Sequence, residues 1–359
     1  MFFKANKIKE FLFCIIAAIV LLIFIEGLAS TVLFTYRIFR TTIPVADPKY
    51  TKFDKKLGLT AKPNTYLKDF FGPGKDIKIN SQSFRNNKDF TVEVPALKKR
   101  IICCGDSFTF GDGVGNNDTW CEKLTKIDNQ LETVNIGLTG YGIDQAYLRY
   151  LKERKKLKHN VLIFAFILDD IKRMADYCEH RYPKPVLRLL KSKLFSDYTR
   201  IKHPEILLKT ERFIELFDGS KIYELFRVLI KRLHLQQVIK PALSDKELKD
   251  VLLKVFESLQ EINKSQNSIL ILVNLPTHYS DYEAGYFQID AWRNWLYSET
   301  SKRNIIYFDL YEEFMKLPFS ELISSFLTYD SHYSEYGNEV VAQAIYKRLK
   351  SKILLDKSN

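Results

Sequence analysis

The sequence predicts an α/β domain built on a doubly wound parallel sheet, and three observations carry that expectation. From Arg100 onward, short apolar runs alternate with amphipathic stretches of helical period, the pattern of parallel strands joined by crossover helices. One of those runs, "VLIFAF" (161–166), is apolar at every position, as a strand buried on both faces must be. Finally, a chain of 359 residues that is 46% hydrophobic has ample material for one large core or two small ones.

The first element is apolar throughout. Phe11 to Ile25 ("FLFCIIAAIVLLIFI") is unbroken, and after Glu26 and Gly27 the apolar character resumes as far as Phe34. That length crosses a bilayer as a helix. Lys4, Lys7 and Lys9 precede it, which favours the N-terminus inside and the remainder outside, while Arg37 and Arg40 beyond it oppose that orientation. A cleaved signal peptide is the alternative, because Gly27-Leu28-Ala29 offers a small-residue cleavage site. The apolar residues past that site favour an uncleaved anchor. Residues 1–40 are therefore expected to be a tail and a single-pass anchor, with the main domain extracytoplasmic.

Residues 41–99, rich in Lys, Asp, Asn, Pro and Gly, read as a stalk with a β-rich lead-in at "IKINSQSF". The domain of residues 100–359 follows. "RIICC" is its first strand, and "DTWCEKLTKI" a helix capped by Asp118. "TVNIG" is the second strand, followed by a helix from Ile143 to Leu157. "VLIFAF", "SILILVNLP" and "NIIYFDL" supply three more strands. "NEVVAQAIYKRLKSKI" closes the domain as a helix. Between the third and fourth strands, about 182–266, a mostly helical insertion is expected. Its last part opens with a capping box, Ser244-x-x-Glu247, ahead of "LKDVLLKVFESL".

The formal net charge is +12. No zinc-ligand spacing, RNP-like aromatic run or Gly-rich phosphate loop accompanies it, so nucleic acid is not an expected partner. Residues 181–250 hold 16 Lys/Arg against 9 Asp/Glu. They form either a solvated surface or one lying near anionic lipid headgroups. Of the five cysteines, Cys103 and Cys104 are strand neighbours pointing to opposite faces. Cys14 lies in the apolar run, which leaves Cys121 and Cys178 as the one possible bridge; buried free thiols are the preferred reading.

In a doubly wound sheet, ligands collect at the carboxyl ends of the strands. "IICCGDSFTFGDGV" (101–114) puts Ser107 at such an end. A Gly-Asp-Ser sequence there is a turn unless a base can take the serine proton. Of the six histidines, only His332 has an acid just upstream and a helix start just downstream, in "TYDSHYSEYGNEVVAQAI". Asp330, two residues before it, can hold one imidazole tautomer and stabilise the imidazolium. His278, in "LPTHYSD" after the fourth strand, is a substitute base.

Together these blocks resemble the SGNH (GDSL-like) hydrolase family, in its membrane-anchored bacterial branch, over most of the chain from Arg100 onward. "GDSFTFG" is similar to the block carrying the nucleophile, here Ser107. "VNIGLTGYG" is similar to the block whose glycine donates an oxyanion N–H, here Gly140. "TYDSHYSEYGN" is similar to the final block, here Asp330 and His332. The lead-in "INSQSFR" and the "LGLTAKPN" stretch are also similar to that branch.

The resemblance implies a flavodoxin-like sheet and a Ser-His-Asp triad, with the Ser107 and Gly140 N–H groups as oxyanion donors. It implies no metal or cofactor, a bacterial inner-membrane location, and an ester substrate, an O-acyl or O-acetyl group on a cell-envelope glycan or lipid. The chain departs from the pattern at "FILDDI": Asp169 stands where the family has an oxyanion-donating Asn. A buried, protonated Asp169 would still donate; an ionised one would repel the oxyanion. The D-x-H spacing is shorter than the common D-x-x-H. Two functions follow as expectations: a serine esterase or acyltransferase, or a non-catalytic module that binds glycan or assists polysaccharide assembly.

Overall fold

The structure is a computed structural model that describes residues 2–39, 49–176, 178–179, 182–198, 220–222, 225, 242–277, 289–328 and 330–351. The chain divides into two compact units, residues 1–42 with 203–240 and residues 43–202 with 241–359.

In the first unit, Phe2–Phe39 is one helix. Its segment Glu10–Val32 has a mean hydropathy of 2.9 and is long and apolar enough to cross a membrane. Its large side chains point outward, Phe11, Ile23 and Phe24 among them. So apolar a surface, left largely uncovered by protein, is suited to lipid.

The second unit is organised around a five-stranded sheet. Its strands are β5 (Lys99–Cys104), β6 (Leu131–Asn135), β7 (Val161–Phe166), β12 (Ile269–Asn274) and β13 (Ile306–Asp309). All pairings are parallel and the spatial order is β13-β12-β7-β5-β6. Counted along the chain this is the flavodoxin-like order 2-1-3-4-5, whose switch point lies between β5 and β7.

Alternate residues of these strands feed two cores. Ile102, Cys104, Leu162, Phe164 and Leu272 pack on one face, against helices Ile143–Glu153 and Asp245–Ser265. Ile101, Cys103, Ile163, Val273 and Phe308 pack on the other, against helices Trp120–Ile127 and Glu335–Leu349. All six residues of β7 are buried. Each large apolar side chain so covered contributes about 1.5–3 kcal/mol relative to exposure. Cys103 and Cys104 lie on opposite faces, and Cys103, Cys104 and Cys121 are free and buried.

Helix Asp245–Ser265 buries Leu248, Val251, Leu252, Val255, Phe256 and Leu259, one stripe at helical spacing. Its N-terminus carries the expected capping box: the Ser244 N–H donates to Glu247 Oε2 at 2.8 Å, and Ser244 Oγ accepts from the Glu247 N–H at 3.4 Å. Such a cap contributes about 1 kcal/mol.

Three expectations are corrected. Residues 49–99 are not a separate stalk. They form hairpins β1 (Thr51–Asp54)–β2 (Gly58–Ala61) and β3 (Thr65–Leu67)–β4 (Ile77–Ile79), and Tyr50, Leu59, Ile77 and Phe84 are buried in the first core. Helix Trp120–Ile127 is capped by Thr119, not Asp118: Thr119 Oγ1 accepts from the Glu122 N–H at 3.3 Å. Asp118 instead belongs to the 3₁₀ turn before it.

The insertion begins with strands rather than helix. After the short pair β8 (Cys178–Glu179) and β9 (Tyr182–Pro183) comes hairpin β10 (Val186–Leu190)–β11 (Lys193–Asp197). Lys191 and Ser192 close it with φ of 48° and 62°, the left-handed pair that matches strand twist in a two-residue turn. Its final stretch, Asp245–Ser265, is the crossover helix from β7 to β12.

Candidate active site

Strand β5 delivers Ser107 to the carboxyl edge of the sheet at the switch point. The strand ends at Cys104, and Gly105 then passes so close to β7 that a side-chain carbon there would lie 2.4 Å from the Ala165 carbonyl oxygen. Only glycine fits that approach. Asp106 caps the single turn Ser107–Phe110, its Oδ1 accepting from the Phe108 N–H at 3.0 Å. Ser107 opens that turn and is 4% exposed.

The other half of the site comes from the loop before the last helix. Leu327 N–H donates to the His332 carbonyl at 2.9 Å, and the Tyr333 hydroxyl donates to the Pro276 carbonyl at 2.5 Å. Ser334 caps helix Glu335–Leu349 through the Gly337 N–H at 3.1 Å. So pinned, the loop sets the His332 ring against Phe108, tilted by 35° with centroids 4.8 Å apart.

The structure brings three of the expected side chains into one chain of contacts. His332 Nε2 lies 2.7 Å from Ser107 Oγ, and His332 Nδ1 lies 2.6 Å from Asp330 Oδ1. With Asp330 ionised, Nδ1–H donates to it. Nε2 is then left to accept the serine O–H. Burial alone would lower the His332 pKa; the Asp330 hydrogen bond and the charges of Asp112, Asp330 and Asp106 outweigh it and raise it.

Gly140 sits in the 137–142 loop with φ of 81°, a left-handed backbone suited to glycine. Asn135 ties this loop to the serine turn, donating from Nδ2 to the Thr109 carbonyl at 2.7 Å and accepting from the Gly137 N–H at 3.0 Å. Among the described residues, neither the Ser107 nor the Gly140 N–H has a hydrogen-bond acceptor.

Asp169 is not buried, so the alternative of a buried carboxyl at this position does not hold. Its side chain is 44% exposed and pairs with Arg173 at 3.2 Å, because it occupies the solvent side of the helix Leu168–Arg173. The buried carboxyl is its neighbour Asp170, which accepts from the Ile167 N–H at 3.1 Å and from Arg173 at 2.9 Å. Burial and the nearby Asp106 push the Asp170 pKa well up.

Four site-shaping residues carried no expectation. Asp112 accepts from Thr139 Oγ1 at 2.8 Å, and burial raises its pKa to about 6 against the pull of His332, Thr139 and Arg85. Arg85 donates to the carbonyls of Phe110, Gly111 and Val114 at 2.8, 2.6 and 2.5 Å, and burial lowers its pKa to about 10. Arg173 reaches Asp106 at 3.9 Å as well as Asp169 and Asp170. Asp106 lies 3.4 Å from Ser107 Oγ, and burial raises its pKa. Proximity of "GDGV" to the serine was the only sequence signal for Asp112. Of the remaining histidines, His159 is buried against Tyr150 and Asn263, while His180, His203, His234 and the substitute base His278 lie outside the described residues.

No protein-family model matches the chain, and no curated protein sequence does. Solved structures do match. A member of the lipolytic protein G-D-S-L family from Veillonella parvula is 14% identical over 69% of this chain and 97% of its own, with a TM-score of 0.42. An acetyl xylan esterase is 15% identical over 70% and 99%, with a TM-score of 0.42. The lipase/acylhydrolase from Enterococcus faecalis is 14% identical over 71% and 96%, with a TM-score of 0.40. Likeness at this level is silent on chemistry. Among the structural neighbours at this low identity are proteins described as G-D-S-L family lipolytic proteins.

Proposed function

We propose that this chain is a membrane-anchored, extracytoplasmic serine esterase or acyltransferase acting on O-acyl or O-acetyl esters of a cell-envelope glycan or lipid. The contact chain from Ser107 through His332 to Asp330 carries the reading: a hydroxyl, an imidazole and a carboxylate in proton-transfer sequence.

In the proposed reaction, Ser107 Oγ attacks the ester carbonyl carbon while its proton passes to His332 Nε2. The carbonyl oxygen, now an oxyanion, takes hydrogen bonds from the Ser107 and Gly140 N–H groups. Collapse breaks the bond to the leaving alcohol, which receives the proton from His332, and leaves the acyl group on Ser107. Water or a sugar hydroxyl then attacks the acyl-enzyme, His332 taking its proton and returning one to Ser107 Oγ. Asp330 stays ionised and stabilises the imidazolium at each transfer. The apolar helix Phe2–Phe39 supports the anchor, and Lys4, Lys7 and Lys9 support the orientation.

Turnover of a short-chain aryl ester by the full-length protein tests the reading. Ser107→Ala is expected to lower kcat by ~10⁴-fold or more. Undiminished hydrolysis would remove Ser107 from the reaction. A non-catalytic glycan-binding module is the second reading, favoured by the carboxylate at Asp169. Glycan binding without turnover by the unaltered chain would support it.

A further inference from the structure

Glu26 is the single charged residue between Phe11 and Val32. A carboxylate at that depth is costly in lipid and is retained where a partner meets it. Glu26 has three. Its carboxylate accepts from the Ser220 hydroxyl at 3.1 Å, from the Ile222 N–H at 3.2 Å, and from the Lys221 N–H. The same stripe of the helix carries a second sign of contact. Ala29, one turn on, is 3% exposed, whereas Ile25, Leu28 and Val32 around it are 39%, 56% and 45% exposed. Among the described side chains of the helix, cover is confined to the face that Glu26 and Ala29 share, and residues 203–240 belong to the same compact unit as the helix.

We propose that Ser220–Ile222 is docked on the anchor inside the bilayer, making this short segment a second membrane-embedded part of the chain. The proposal rests on the reading of the helix as a retained anchor. Backbone N–H groups cannot enter hydrocarbon unpaired, and Glu26 supplies acceptors for two of them. Val32 lies six positions beyond Glu26, about 9 Å of helix axis at ~1.5 Å per residue. That depth lets the Lys221 ammonium reach the headgroups along its own stem.

The test uses full-length protein with Cys14→Ser and Cys178→Ser, reconstituted in phosphatidylcholine–phosphatidylglycerol vesicles. Ile222→Cys keeps the backbone donor, and its reaction with a membrane-impermeant maleimide is compared with that of Tyr297→Cys, a position 68% exposed in the other unit. Docking gives a rate at least tenfold slower at 222, and adding Glu26→Leu brings the two rates together. Equal rates in a protein that resists carbonate extraction overturn the proposal. A slow rate unchanged by Glu26→Leu overturns the assignment of Glu26 as the contact. Intact mass on the same sample separates the two levels: loss of the first ~28 residues, as signal-peptide cleavage requires, removes the anchor reading and the proposal with it.

Discussion

His332 Nε2 lies 2.7 Å from Ser107 Oγ, although the two residues are 225 positions apart in sequence. The imidazole accepts the serine proton only while it is neutral. Since its pKa is raised, kcat/KM for an aryl ester is expected to fall on the acid side with a midpoint above the ordinary imidazole value of about 6.5. Asp112→Asn removes one of the negative charges responsible, so the limb should move to lower pH. A pH–rate profile of both proteins measures this; a midpoint unmoved by the substitution would mean that Asp112 does not sense the ring.

Asp112 should also make stability depend on pH. Its folded-state pKa of about 6 stands above an unfolded value of 3.8, so the folded state holds the extra proton. That contribution is present in full below the unfolded value and is lost as pH rises through the folded one. Asp112→Asn is therefore expected to be the more stable protein at pH 7, by about 3 kcal/mol. The gap should close below pH 4. Urea unfolding at the two pH values reads the difference.

Arg173 and Asp169 should behave differently although they form one pair. Arg173 serves the buried Asp170 and Asp106, while Asp169 is half-exposed. Arg173→Gln leaves buried carboxyls without their cation and is expected to cost roughly 3 kcal/mol. Asp169→Asn removes a partly exposed pair and should cost under about 1 kcal/mol. Denaturant midpoints of the two variants rank them.

Arg85 fastens the loop after the serine turn through three carbonyls. Arg85→Met keeps much of the volume and removes every donor. It should destabilise the protein by about 2–5 kcal/mol and lower kcat more than it raises KM, because the turn bearing Ser107 loses its brace. Thermal unfolding alongside steady-state kinetics checks both parts.

Much of this architecture is written locally. The five strands announce themselves because each is a short apolar run, and the opposite orientations of Cys103 and Cys104 follow from strand geometry alone. Ser107 and the Asp330–His332 pair were legible for a similar reason: each block is contiguous and sits beside a strand end or helix start. Thr119 was equally legible, since Thr119-x-x-Glu122 has the spacing of a cap, but the adjacent Asp118 competes for that role. Arg85 and Asp112 were not legible. Their importance comes from burial against groups distant in sequence, and nothing in "SFRNN" or "FGDGV" specifies those neighbours. The hairpin at 186–197 was missed because its turn, Lys191–Ser192, lacks the Asn or Gly that usually marks one.

Labelling by a fluorophosphonate tests the central claim most directly, because it reports an activated serine without knowledge of the substrate. Full-length protein should gain one adduct, mapped by peptide mass to Ser107, absent in Ser107→Ala and slowed at least a hundredfold in His332→Ala. No adduct at any pH from 5 to 9, or an adduct at another residue with Ser107 unmodified, would contradict the account.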